Sequence, residues 1–310
     1  MTQQSLVNAH THLELGWYER FRSRLPIPFH KWMKQFLRRN TNMRERQGVL
    51  EQYQQQSIRK GITSLKQAGI THVGDITLSG FSIEPLLESG LSGVVYIEIL
   101  GLEEGVGEFM FKRATQMLEQ YRPDEQNGLR IGLSAHAVYT TRPRTFRQVA
   151  RYCQQKDVPL CIHAAEAPAE IECSLHGSGP LYDLPVQMGG QSHPYVPHKT
   201  PVHYLHHFGI LDAQPLLAHV VHATDEELDM IAQSGAKIAH CPRSNHHLKC
   251  GRHPLEKALE RNIPLALGTD SLATSYSLDV REEATFAHTL HEGIVPPEKI
   301  DSLLQNTEVF

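Results

Sequence analysis

The sequence predicts an α/β protein of the (β/α)₈ TIM-type barrel class. Eight short apolar segments alternate with amphipathic segments along the 310 residues, a pattern typical of parallel strands joined by helices. Eight repeats favour closure into a barrel over an open sheet. No G-x-G-x-x-G follows an apolar segment, which argues against a dinucleotide-binding fold.

The eight candidate strands are short and mostly rich in Val, Ile and Leu, as expected for strands covered on both faces. They are LVNAH (6–10), THVGDI (71–76), GVVYIEIL (93–100), RIGLSAH (130–136), PLCIHA (159–164), PLLAHV (215–220), KIAHCP (237–242) and PLALGTD (264–270).

Amphipathic segments lie between these strands, and a further one follows the last strand, so each strand is followed by a helix. They cover residues 46–67, 82–89, 103–121, 144–155, 201–207, 225–233, 254–261 and 279–290. We therefore expect residues 1–310 to form a single barrel domain.

Two connections, 13–45 and 167–198, are much longer than the others. Connections of this length inside a domain are usually functional, and both follow strands, so we predict two active-site loops on the catalytic face. The aromatic residues of these loops could stack on an aromatic substrate. The candidates are Trp17, Phe29, Trp32 and Tyr182.

Composition excludes several classes of partner. The net charge is −4 with no basic cluster, which argues against binding to nucleic acid or membrane surfaces. No apolar run reaches the roughly 20 residues of a membrane span, and the first residues do not resemble a signal peptide. Five cysteines without a C-x-x-C pair favour a reducing cytoplasm. We therefore expect the partner to be a small-molecule substrate. Whether the chain also forms a homodimer stays open.

Ionisable residues cluster where the predicted strands end. In a barrel these ends open on one mouth, so residues far apart in sequence converge there. The residues are His10 and His12 (first strand), His136 (fourth), His163 followed by Glu166 (fifth), His219 (sixth) and Asp270 (eighth).

Three imidazoles with one carboxylate form a ligand set suited to Zn²⁺ or Fe²⁺ that leaves a position open for water. A divalent cation lowers the pKa of that water toward neutrality. Glu166 is not needed to complete such a set and could move protons. The alternatives are that the histidines of H-x-H are ordinary polar residues of a strand, that Asp270 caps a helix, and that Glu166 is a solvated loop residue.

Six motifs resemble the amidohydrolase superfamily, in particular its branch of purine and triazine aminohydrolases and chlorohydrolases. They are VNAHTHLEL, SAHAVYTTRP, HAAEAPAE, LLAHVVHATDEEL, AKIAHCPRSN and ALGTDSLATSYSLD, and they follow the expected order from residue 5 to about 290. Within this branch, PFHKW, GSGPLYDL and GTDSLA resemble the aminodeoxyfutalosine deaminases.

The resemblance implies roles for individual residues. It implies that one metal ion is bound, for which Zn²⁺ is the first choice and Fe²⁺ stays open. It also implies that Glu166 is the general acid/base, and that His219 and Asp270 act on the attacking water. One metal is expected because the fourth strand, GLSAHAVYT, lacks the lysine that bridges two metals in other members. His136, Glu166 and Trp17 are the predicted substrate contacts. The implied metal ligands are His10, His12, His163 and Asp270.

The resemblance also implies a hydrolytic deaminase of an aminopurine-type nucleoside, such as aminodeoxyfutalosine, adenosine or an S-adenosylhomocysteine-like compound. A hydrolase of another C–N or C–Cl bond, and a non-catalytic or truncated metal-binding barrel, stay open as alternatives. The accessory β-sandwich that the family usually carries is expected to be missing, because the first strand begins near residue 6 and the last residues are LLQNTEVF.

Overall fold

Eight parallel strands form one sheet in which spatial order follows chain order. In this computed structural model the described residues are 5–103, 105–189 and 197–310. Each strand overlaps one predicted segment, which confirms the (β/α)₈ barrel. The strands are β1 (Leu6–Thr11), β2 (Ile70–Thr77), β3 (Ser92–Glu98), β4 (Leu129–Ser134), β5 (Leu160–Ala164), β6 (Leu216–His219), β7 (Lys237–His240) and β8 (Leu265–Leu267).

Backbone hydrogen bonds between the ends of β8 and β1 close the barrel. Thr11 and Asp270 form a parallel bridge. The amide of His12 donates to the Asp270 carbonyl (2.7 Å), and the amide of Asp270 donates to the His10 carbonyl (3.0 Å). The closure thus brings three of the predicted metal ligands together through the main chain.

Helices follow or connect the strands, and every predicted amphipathic segment contains one. Among the described residues, no helix combines the length and apolarity needed to cross a membrane. The helices are α1 (Phe29–Arg44), α2 (Val49–Gln67), α3 (Ile83–Leu87), α4 (Val106–Tyr121), α5 (Pro143–Lys156), α6 (Pro168–His176), α7 (Leu184–Gln187), α8 (Pro201–His207), α9 (Asp225–Ser234), α10 (Pro242–His247), α11 (Leu255–Glu260), α12 (Val280–Leu290) and α13 (Pro297–Ser302).

The two long connections are partly helical rather than irregular. The first contains a 3₁₀ helix (Leu13–Phe21) and α1. In α1 the apolar residues 29, 32, 33, 36 and 37 recur at helical spacing, so one face of the helix can pack on the barrel. The second contains α6 and α7, and its residues 190–196 lie outside the described residues.

A short C-terminal turn covers the amino-terminal ends of the strands. The Val7 amide donates to the Leu304 carbonyl (2.8 Å), and Asn306 Nδ2 donates to the Leu265 carbonyl (3.1 Å). Val309 is buried in the apolar cluster that fills the barrel interior. We call this turn, residues 304–310, the barrel floor.

Candidate metal centre and active site

The four predicted metal ligands converge on one point at the carboxyl ends of the strands. Nε2 of His12 and Nε2 of His163 are 3.1 Å apart. Oδ1 of Asp270 lies 3.8 Å from Nε2 of His10 and 3.7 Å from Nε2 of His12. Ligand atoms of His10, His12 and Asp270 lie within 4.8 Å of one another, and so do those of His10, His163 and His219.

These residues fit a divalent cation. Both ring nitrogens of His10 are buried and have no hydrogen-bond partner among the described residues, an arrangement that is costly for a buried polar group unless something binds it. Imidazole nitrogens and a carboxylate oxygen are the donors that Zn²⁺ and Fe²⁺ accept.

Outer contacts orient these groups toward the common point. Asp270 Oδ2 accepts hydrogen bonds from Ser244 Oγ (2.6 Å) and Thr274 Oγ1 (2.8 Å), which leaves Oδ1 facing the histidines. Nδ1 of His163 lies 3.2 Å from the His136 carbonyl. Donation through Nδ1 fixes the tautomer in which Nε2 keeps its lone pair, as metal ligands require.

Burial also keeps the histidines neutral. Desolvation lowers the pKa of His10 and His163 well below the usual range, and neighbouring imidazoles lower it further. Desolvation lowers the pKa of His12 as well. Neutral imidazole is the form that binds metals.

Glu166 lies beside this centre on the turn that follows β5. Its Oε1 is 3.7 Å from Nε2 of His219, and burial raises its pKa well above the usual range. The carboxylate of buried Glu170 accepts from the amides of Ala165 (3.3 Å) and Glu166 (2.7 Å). This contact holds a turn in which Ala165 has a left-handed φ of 51°, so Glu170 positions Glu166.

His219 ends β6 and faces Glu166. Its Nδ1 pairs with Asn245 Oδ1 at 2.9 Å. Because an amide oxygen only accepts, Nδ1 carries the proton and Nε2 keeps a lone pair directed at the centre. Asn245, on α10, thereby orients His219.

A cavity of about 440 Å³ opens above the centre, within the range of small-molecule sites. Its inner end contains His12, His163, Glu166, His219 and Asp270. The two long connections supply most of its apolar wall, including Leu15, Phe29, Trp32, Met33, Phe36, Leu37, Leu181, Leu184, Pro185 and Met188.

Trp17 does not lie where the sequence analysis expected it. The structure places it behind the cavity wall, packed against Tyr18 and Phe36 with ring centroids 5.5 and 6.2 Å away. Trp32 lines the cavity instead and stacks on Phe36 at 5.4 Å. Both tryptophans belong to one aromatic cluster. Which of them faces the cavity depends on the geometry of the 3₁₀ helix, which carries Trp17, and of α1, which carries Trp32.

His136 lines the cavity as predicted, and an unpredicted residue, Glu98, lies next to it. Oε1 of Glu98 is 3.9 Å from Nε2 of His136. The segment GVVYIEIL contained the signal, since Glu98 is its one charged residue. The predicted strand ran to residue 100, whereas β3 ends at Glu98, which puts this carboxyl at the mouth of the barrel.

Comparison with known proteins shows which proteins the chain resembles. Residues 5–300 match the model of the amidohydrolase family. The chain is 36% identical to an aminodeoxyfutalosine deaminase of Deinococcus radiodurans, covering 94% of this chain and 68% of the relative. It is 26% identical to a 5-methylthioadenosine/S-adenosylhomocysteine deaminase of Dictyoglomus turgidum, covering 93% of this chain and 62% of that relative.

Solved structures show the same fold. Aminofutalosine deaminase of Helicobacter pylori, bound to methylthio-coformycin, superposes with a TM-score of 0.81 at 21% identity, covering 97% of this chain and 70% of that one. Zinc-bound atrazine chlorohydrolase of Arthrobacter aurescens superposes with a TM-score of 0.80 at 20% identity, covering 99% and 70%. The match to the family model spans nearly all of the sequence, and the chain therefore belongs to the amidohydrolase family.

Proposed function

We propose that this protein is a metal-dependent hydrolytic deaminase of an aminopurine-type nucleoside. The observation that carries the proposal is the buried carboxyl of Glu166, 3.7 Å from His219 and beside the convergent histidines at the inner end of the cavity. The two relatives described above are both named deaminases of adenine-type compounds, which supports this choice of reaction.

The proposed metal ligands are His10, His12, His163 and Asp270, which would hold a single divalent cation, with Zn²⁺ preferred to Fe²⁺. When bound, such a cation supplies a water ligand whose pKa is lowered toward neutrality.

The chain's own residues then move the protons. Glu166 accepts a proton from the attacking water and delivers it to the adjacent ring nitrogen. His219 and Asp270 hold the water in line with the amino-bearing ring carbon. Glu166 then takes the remaining proton of the new hydroxyl group on the ring carbon and passes it to the leaving nitrogen as the C–N bond breaks. One water is consumed, a ring carbonyl forms and ammonia leaves.

The long connections, 13–45 and 167–198, are proposed to select the substrate, because they supply the apolar wall of the cavity. Trp32 replaces Trp17 as the aromatic residue proposed to contact the purine or its substituent. His136 keeps its proposed role as a substrate contact. The single-domain organisation, the cytoplasmic location and the homodimer stay predictions.

A substrate panel tests the proposal. Zinc-loaded protein is incubated with adenosine, 5′-methylthioadenosine, S-adenosylhomocysteine and aminodeoxyfutalosine, and ammonia release is measured. A chlorotriazine with chloride detection runs in parallel. Ammonia from at least one nucleoside is expected. Chloride without ammonia would support the alternative hydrolase, and metal binding without any turnover would support a non-catalytic barrel.

A further inference from the structure

His219 lies at the centre of a strained turn, residues 218–220, which we call the β6 turn. The φ of His219 is 74° and that of Val220 is 47°. Residues with a Cβ atom rarely adopt such left-handed values, and β-branched residues such as Val least of all. The amide of Val220 donates to the carbonyl of Ala218 (3.1 Å), so the chain turns within three residues. A bond of this kind around a residue of positive φ is typical of the rare, strained form of the γ-turn.

This strain bears on the site because the β6 turn sets the direction of the His219 side chain. The ring is buried, its Nδ1 pairs with Oδ1 of Asn245 at 2.9 Å, and its Nε2 lies 3.7 Å from Oε1 of Glu166. A residue in a sparsely populated backbone conformation keeps it only where the surrounding structure holds it there. Relaxation of φ at His219 would redirect its Cα–Cβ bond and carry Nε2 away from Glu166.

Backbone hydrogen bonds tie the β6 turn to the turn that follows β5. The amide of Val220 donates to the Ala164 carbonyl (3.0 Å), and the amide of His222 donates to the Ala165 carbonyl (2.9 Å). The turn after β5 has its own support, because the carboxylate of Glu170 accepts from its amides. The β6 turn uses its amides in these bonds, so a donor to its carbonyl groups is what would complete its support.

His253, in the segment before α11, supplies this donor. Its Nδ1 lies 2.8 Å from the Val220 carbonyl. Burial lowers the pKa of His253 to about 4, so the ring is neutral, and because a carbonyl oxygen only accepts, its one proton is on Nδ1. His253 is fully buried and lies outside the set of described residues that line the cavity. It can therefore affect the reaction only through the residues that it holds.

We propose that His253 is a positioning residue, whose hydrogen bond to Val220 holds the β6 turn and so keeps Nε2 of His219 directed at Glu166 and the attacking water. This step rests on the proposed function, in which His219 acts on that water. Without His253 the Val220 carbonyl would be left buried and unpaired, which is costly, and the strained turn would relax. Because His253 does not contact the cavity, its loss should lower kcat and leave KM nearly unchanged.

The test removes the donor and then restores it. Values of kcat and KM are measured with the member of the substrate panel that the wild type turns over fastest. His253→Leu, which lacks a donor, is expected to lower kcat by at least about 10-fold and to change KM by less than about 3-fold. His253→Asn, whose side-chain amide can donate from nearly the position of Nδ1, should recover most of the loss. His206→Leu, at an exposed position on α8, is the matched control and should keep the wild-type kcat.

A second background separates positioning from folding. In His219→Ala there is no ring to direct, so adding His253→Leu should lower the residual kcat by less than about 2-fold. Equal losses in both backgrounds, or a lower free energy of unfolding with kcat unchanged, would show that His253 only stabilises the fold and would overturn the inference. A folded His253→Asn protein with kcat more than about 10-fold below the wild type would overturn it as well, and this arm does not require His253→Leu to fold.

Failure of the proposed function gives a different result. Chloride release without ammonia would refute the deaminase but leave a kcat to measure, so the His253 variants would still decide this inference. A wild type that turns over no member of the panel would refute the proposed function, and this inference with it.

Discussion

Nε2 of His12 and Nε2 of His163 approach within 3.1 Å although the residues are 151 positions apart in the chain. They reach this point from β1 and β5, on opposite sides of the barrel. Two neutral imidazoles so placed can share one proton or one cation. Beside them, neither nitrogen of His10 has a hydrogen-bond partner in the part of the chain that the structure describes. A bound cation would therefore satisfy more of these buried nitrogens than a shared proton would.

Removal of one ligand should therefore remove the metal. His163→Ala is expected to weaken Zn²⁺ binding by at least about 100-fold, because loss of even an outer contact costs 10- to 100-fold. Metal content after dialysis, measured by mass spectrometry, checks this. The control is His246→Ala, at an exposed position on α10. Full zinc occupancy in His163→Ala would contradict the ligand assignment.

Glu166 should be needed for turnover but not for metal binding. Glu166→Gln keeps the shape of the side chain and removes the proton carrier, so kcat is expected to fall by at least about 100-fold with metal content unchanged. Glu172→Gln, at an exposed position on α6, is the matched control. Near wild-type turnover by Glu166→Gln would exclude Glu166 from the mechanism.

The two tryptophans should respond differently to truncation. Trp32→Leu is expected to raise KM, by about 10-fold if one stacking contact is lost, with kcat little changed. Trp17→Leu is expected to lower stability by about 3 kcal/mol, since Trp17 is buried behind the wall. Steady-state kinetics and urea denaturation of both variants separate these outcomes. The same KM increase in both variants would show that both tryptophans affect substrate binding through the packing of the cavity wall.

Asp75 should make stability depend on pH. Burial raises its pKa from 3.8 to about 7, while Asp75 in the unfolded chain loses its proton near pH 4. The unfolded state therefore releases the proton first, and the stability contributed by protonated Asp75 is lost as pH rises from about 4 to 7.

The variant Asp75→Asn removes this dependence. Between pH 4 and pH 7.5 its free energy of unfolding should shift relative to the wild type by up to about 4 kcal/mol in its favour. Urea denaturation at both pH values measures the shift. Asp212→Asn, at an exposed position, should show none. Parallel pH profiles for wild type and Asp75→Asn would refute the prediction.

The barrel and the convergence of the candidate metal ligands were predictable because each signal is local. Strands covered on both faces need short apolar runs, and His163 and Asp270 stand out where such runs end. The end of β3 was predicted two residues too late. Leu100 is apolar like the residues of the strand, so the apolar run did not indicate that β3 ends at Glu98. In α1 the apolar residues from Phe29 to Leu37 recur at helical spacing, which indicates a helix. The length of the connection instead favoured a loop, and a loop was predicted.

Other features of the site carry no local signal. Glu170 and Ser244 form hydrogen bonds to Glu166 and Asp270 across turns whose geometry appears only in the folded chain. Likewise, nothing in the spacing of Trp17 and Trp32 indicates which one faces the cavity.

The barrel floor bears on the route by which small molecules enter and leave the cavity. Val309 packs into the apolar interior at one end of the barrel, and the cavity that the described residues form lies at the opposite end, so substrate and products would exchange through that mouth. A bound nucleoside would occupy the route by which solvent arrives. The hydrolytic water must then be in place before the substrate enters, and a substituent that fills the mouth would slow the departure of both products.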